Sequence, residues 1–117
     1  MGKLTTHVLD TATGRPAAGV AIKLYRLEGG ERIAQGASHT NSDGRCNAPL
    51  LEGEAMQSGQ YELDFAVGDY FFAQGTTQPV PRFLDVVTLR FGIADPAMDY
   101  HVPLLVSPWS YSTYRGS

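Results

Sequence analysis

The chain has a single cysteine, Cys46, and so cannot close an internal disulfide; a packed core has to hold it together. Basic residues are few and scattered. Nine Lys and Arg against twelve Asp and Glu give a net charge of −3, without the clustered cations that grip nucleic acid or an anionic membrane, and neither partner is expected. The chain also lacks an apolar signal stretch: Met1-Gly2-Lys3 leads directly into a polar, strand-like run, so a reducing, cytoplasmic setting is the expectation. Gly2 with Thr6 is a weak match to a myristoylation pattern, but the residues that follow read as a strand that must be paired. The three histidines, His7, His39 and His101, are far apart, with no His-x-His spacing and no cysteine pair, so no metal is expected.

What is present points to one β-rich domain spanning residues 1–117. A hydrophobic fraction of 43% over 117 residues suffices for one core and leaves no room for a second. Thirteen Gly and seven Pro, spread along the whole length, supply turns for many short strands. Leu4 to Leu9 reads as a strand closed by the turn cluster from Asp10 to Pro16. Val20 to Leu27 alternates, with Val20, Ile22 and Leu24 on one face, and Gly29-Gly30 offers a hairpin to a partner at Ile33 to Ser38. Asn41 to Arg45 is a second turn in which Gly44 supplies positive φ and Arg45 sits beside a rigid corner.

Further on, Tyr61, Leu63, Phe65 and Val67 alternate with Glu62, Asp64 and Ala66, giving a half-buried strand with an outward polar face. From Gly68 to Gly75 the period of two is lost, which predicts a short helix; Tyr70, Phe71 and Phe72 read as core or helix-to-sheet packing. Leu84 to Ile93 alternates again until Asp95-Pro96. Tyr100 to Ser107 and Trp109 to Arg115 complete the set, and Pro103 marks either a sheet edge or an interruption of the ladder. Seven or eight short strands with one short helix describe an all-β, two-sheet sandwich.

The end of the chain, Tyr114-Arg115-Gly116-Ser117, follows a strand-like run and is expected to be placed, not frayed. Taken singly, the polar candidates have plain structural readings. A histidine on a strand is often a half-buried polar group, Arg45 in its turn is a solvated loop charge, and Tyr114 and Arg115 are strand surface. His101 shares a face with Pro103 and Leu105, so it could line an interface. His39 has no motif neighbour and is given no role, and Cys46, beside Arg45, reads as a small buried thiol and not as a nucleophile.

Together, however, these residues carry a family likeness. Leu4-Thr5-Thr6-His7-Val8-Leu9-Asp10, Gly14-Arg15-Pro16-Ala17, Thr40 with Asp43-Gly44-Arg45, and the long tail from Tyr100-His101-Val102-Pro103 through Ser107-Pro108 to Tyr114-Arg115-Gly116-Ser117 closely resemble the 5-hydroxyisourate hydrolases, the transthyretin-like enzymes of purine breakdown. The closing tetrapeptide is the most specific part, since transthyretin proper lacks it and the two histidines. The resemblance runs end to end. It implies a transthyretin-like sandwich, a homotetramer with sites in clefts where two dimers meet, and cofactor-free hydrolysis of 5-hydroxyisourate to 2-oxo-4-hydroxy-4-carboxy-5-ureidoimidazoline.

Carried over by position, the family's functional residues match His7, Arg45, His101 and Tyr114-Arg115-Gly116-Ser117. Two departures stand out: Asp99 occupies a place where relatives often have His, and Asp85 one where Pro is common. The residue types fit the reaction. Adding water to an acyl carbon needs a base near neutral pKa, donors for the developing oxyanion, and contacts that hold a planar ring. His101 and His7 are expected to activate water and shuttle protons, with Arg45 gripping ring oxygens as a fork. Tyr114, Arg115 and Gly116 are expected to contact substrate, and Ser117 to stand next to a histidine. The competing expectation is a transthyretin-like carrier of a small ligand without catalysis.

Overall fold

Period-two alternation of apolar side chains sets which face of each strand meets the core, and in the computed structural model, which describes residues 2–116, that alternation builds two facing sheets. Nine strands run through the described residues: β1 (Lys3–Asp10), β2 (Arg15–Pro16), β3 (Ala21–Glu28), β4 (Glu31–His39), β5 (Leu51–Glu52), β6 (Gly59–Ala66), β7 (Val86–Ile93), β8 (Tyr100–Val106) and β9 (Tyr111–Thr113). One α-helix, α1 (Val67–Ala73), links β6 to β7, and a single 3-10 turn spans Gly53–Ala55. Seven of the strands are three residues or longer, as the sequence predicts. The extra two, β2 and β5, have two residues each, too few to show a period.

The first sheet runs β2-β1-β8-β9 with β5 also on β1, and the second runs β4-β3-β6-β7. β1 and β8 are parallel, with Thr5 opposite His101 and His7 opposite Pro103. Leu4, Val8, Leu104 and Val106 from one sheet meet Ile22, Leu24, Leu63 and Phe65 from the other in a shared apolar core. Fully burying each such side chain stabilises the fold by about 1.5–3 kcal/mol. The hairpin between β3 and β4 turns on Gly29 and Gly30, both at positive φ, as the sequence predicts. No helix among the described residues is long and apolar enough to cross a membrane.

Several local expectations are corrected. The helix begins one residue early and stops at Ala73, with Gly75 at φ +84° just beyond it. Tyr70 and Phe71 are buried, but Phe72 is 70% exposed because it lies on the solvent side of so short a helix. Glu62 is not a solvated outward charge; Arg32 and Arg90 close over its carboxylate at 2.9 and 3.0 Å. The last strand starts at Tyr111 and not at Trp109, because the Ser107 hydroxyl accepts the backbone N–H groups of Trp109 and Ser110 and bends the chain there.

Pro103 lies inside the sheet, on a strand flanked by β1 and β9. Of its two expected readings, the interruption is the one found. The β8–β9 ladder ends at the Leu104–Thr113 pair, Thr113 Oγ1 donates to the Pro103 carbonyl at 2.7 Å, and the next backbone bond is from Gly116 to His101. The missing N–H therefore falls in a gap of the ladder.

Candidate active site

Alternation along β1 turns Leu4, Thr6, Val8 and Asp10 inward and leaves Lys3, Thr5 and His7 on the outer face of the first sheet. On β8 the same rule turns Val102 and Leu104 inward and His101 outward. The parallel register then sets Thr5 beside His101, where Thr5 Oγ1 lies 2.8 Å from Nδ1 of the imidazole.

Arg45 reaches this face through its turn. Asn41 Oδ1 accepts the backbone N–H groups of Asp43 and Arg45, and Asn41 donates its own N–H to the Arg45 carbonyl at 2.7 Å. Gly44 sits at φ +75°, its carbonyl accepting from Val8 N at 2.8 Å, and a side chain there would collide with the Val8 carbonyl oxygen. The turn is thereby stitched to β1 with Arg45 bridged to His7. His7 Nε2 lies 2.9 Å from the Asp43 carbonyl. A carbonyl only accepts, so the proton of His7 is on Nε2, and that nitrogen has no lone pair to offer.

Lys3, Thr5, Arg45, Asp99 and His101 line a cavity of about 380 Å³. An adjoining cavity of about 240 Å³ shares Lys3, Thr5 and Arg45 and runs on to Cys46, Asn47 and Pro49. Cys46 is half-buried against the core. Burial, then the positive charge of Arg45 and the neighbouring His7, hold the His101 imidazole below its usual pKa. His101 is thus neutral at neutral pH, with an acceptor nitrogen available. Among the described residues no group of three or more His, Cys, Asp or Glu side chains is arranged to hold a metal ion.

The tail divides between two places. Gly116 donates its N–H to the His101 carbonyl at 2.8 Å and lies against the imidazole. Tyr114 and Arg115 instead line a separate cavity of about 420 Å³ with Phe91, Tyr100, Val102 and Tyr111. The Arg115 guanidinium lies 4.5 Å from the centre of the Tyr100 ring and donates to the Asp99 carbonyl at 3.3 Å. His7, Arg45, His101 and Gly116 thus share one face, whereas Tyr114 and Arg115 are turned away from the His101 cavity. Ser117 lies outside the described residues.

Asp99 accepts the Lys3 N–H at 3.0 Å, tying the start of β1 to the approach to β8. The Asp85 carboxylate binds Arg82, its carbonyl accepts from Gly68, and the pair ties the loop before β7 to α1. His39 ends the exposed strand β4 and joins no site. Lys3, Thr5 and the Asp43 carbonyl are site groups that the sequence reading does not include. Thr5 shares the outward alternation of His7, which is a signal, but its neighbour across the sheet is 96 residues away.

Two sheets with a parallel β1–β8 pair, one short helix after β6, and two histidines with an arginine on one sheet face make up a sandwich of the transthyretin type. The model of the HIUase/Transthyretin family matches residues 4–116, and the chain belongs to that family. It is 66% identical over 117 residues to the 5-hydroxyisourate hydrolase of Ralstonia nicotianae, covering 100% of both chains. Among solved structures it is similar to (S)-allantoin synthase, with a TM-score of 0.94 and 51% identity over 99% of this chain but only 44% of that longer one. It is also similar to sea bream transthyretin in complex with thyroxine, with a TM-score of 0.87 and 27% identity over 97% of this chain and 94% of the other.

Proposed function

We propose that this chain is a 5-hydroxyisourate hydrolase that opens its substrate by adding water to the ring acyl carbon, without a cofactor, to give 2-oxo-4-hydroxy-4-carboxy-5-ureidoimidazoline. The observation that carries this reading is a neutral His101 and an Arg45 that line one cavity on the face to which the tail also returns. The full-length likeness to a chain named for the same activity supports it.

The steps follow from the groups present. His101 takes a proton from water as the water oxygen bonds to the acyl carbon, and Arg45 stabilises the oxyanion that forms. When the carbon–nitrogen bond breaks, the imidazolium returns the proton to the departing ring nitrogen. His7, with its Nε2 proton held on the Asp43 carbonyl, braces the Arg45 turn against β1. Gly116 shapes the wall next to His101.

The domain works as a cytoplasmic homotetramer, a dimer of dimers with sites at the boundary. Supporting this, β7 and β9 each form one end of their sheet, and Trp109, Tyr111 and Tyr114 are exposed beside them. Purified protein is expected to accelerate the decay of 5-hydroxyisourate freshly made by urate oxidase. Decay at the uncatalysed rate, together with tight binding of thyroxine in a titration, would replace this reading with the carrier.

A further inference from the structure

The His101 imidazole is gripped on two sides. Gly116 backs one edge of the ring so closely that a Cβ there would stand 2.8 Å from Cδ2. On the other side Thr5 Oγ1 lies 2.8 Å from Nδ1 and, among the described residues, has no other hydrogen-bond partner. The contact is built into the sheet. Thr5 and His101 are direct neighbours across the parallel pair, both outward, about 4.8 Å apart in the pairing direction. A β-branched side chain in a strand has a stiff χ1, so the hydroxyl stays where the register puts it.

We infer that Thr5 is a positioning residue of the hydrolytic site: its hydroxyl accepts the Nδ1–H of His101 and so leaves the Nε2 lone pair for the cavity. The inference rests on His101 as the water-activating base. No second hydroxyl takes this part. Thr6 is turned inward and donates to the Val102 carbonyl at 2.7 Å, and His7, the next outward residue, faces Asp43. An imidazole with one nitrogen tethered as donor cannot rotate to present the wrong tautomer, and a base delivers its full effect only when that nitrogen is fixed.

Two variants and one spectroscopic reading test this. Thr5→Val keeps the branched shape and removes the hydroxyl. It is expected to lower kcat roughly 10- to 100-fold, up to the least that a positioned base contributes, with KM nearly unchanged, while Thr5→Ser restores most of the rate. Loss of the tether is also expected to move the acid limb of the kcat/KM profile, against a background of Lys3 and His7 on β1, Arg45 in its turn and Asp99 before β8, which remain in place. In the unaltered protein, the nitrogen-15 shift of His101 Nε2 is expected to be that of an unprotonated ring nitrogen. A protonated Nε2, or Thr5→Val with the unaltered kcat, would overturn the inference. If Thr5→Val does not fold, the nitrogen shift of the unaltered protein alone decides. Failure to hydrolyse 5-hydroxyisourate would count against the hydrolase reading, while the tautomer would still judge Thr5.

Discussion

Gly116 lies on the imidazole of His101, its N–H bonded to the His101 carbonyl at 2.8 Å and its α-carbon so close that an added methyl would meet ring carbon Cδ2 at 2.8 Å. Space, not backbone conformation, requires the glycine. Gly116→Ala is therefore expected to push the ring off Thr5 and to lower kcat by roughly 10²-fold, the scale of an ångström-level misplacement. Steady-state kinetics check it; a variant with the unaltered kcat would show that the tail does not hold the base.

The pH dependence follows from the depressed pKa of His101, set first by burial and then by Arg45 and His7. The folded protein binds this proton less readily than the unfolded chain. Its contribution to stability is thus intact above the usual histidine value of 6.5, declines as pH falls through it, and levels off once the folded imidazole is also protonated. Activity follows the neutral form, so the acid limb of kcat/KM is expected below pH 6.5. Arg45→Gln removes a repelling cation and should move that limb upward while lowering the rate. A limb that moves down would contradict the assignment.

Alkaline stability tests a contact remote from the site. The Tyr70 hydroxyl donates to the buried Asp10 carboxylate at 2.8 Å, and burial followed by that bond pushes its pKa up to about 12 from 10.0. The raised value means that the stabilisation is complete below pH 10 and is lost as pH rises toward 12. Tyr70→Phe should cost about 1.5–3 kcal/mol at neutral pH and flatten that alkaline decline, read by denaturant unfolding at several pH values.

The Arg45 turn is expected to tolerate no side chain at Gly44, where φ is +75° and the Val8 carbonyl oxygen blocks the space. Gly44→Ala should cost at least about 1–3 kcal/mol and raise KM by displacing Arg45. Thermal unfolding and kinetics on the same preparation separate the two effects.

The strands were legible where a period of two was long enough to see. Tyr61 to Val67 and Val87 to Ile93 show the inward face directly, and Gly29-Gly30 announces its hairpin. The helix start was blurred because Val67 continues the alternation of β6 into α1. The outward positions of His7 and His101 were readable from their neighbours. Their company was not: the Thr5–His101 contact joins residues 96 apart and depends on a parallel register that no local pattern encodes. Likewise Arg45 reaches the face only because Gly44 folds the turn onto Val8, and the tail splits at Gly116, with Arg115 drawn to Tyr100 and Asp99.

The most direct measurement is the rate at which freshly generated 5-hydroxyisourate decays with the unaltered protein and with His101→Asn, each checked for the same thermal midpoint. The account predicts rapid decay with the first and, for a lost base, a rate at least roughly 10²-fold lower with the second at unchanged stability. Equal rates from two equally folded proteins would contradict it.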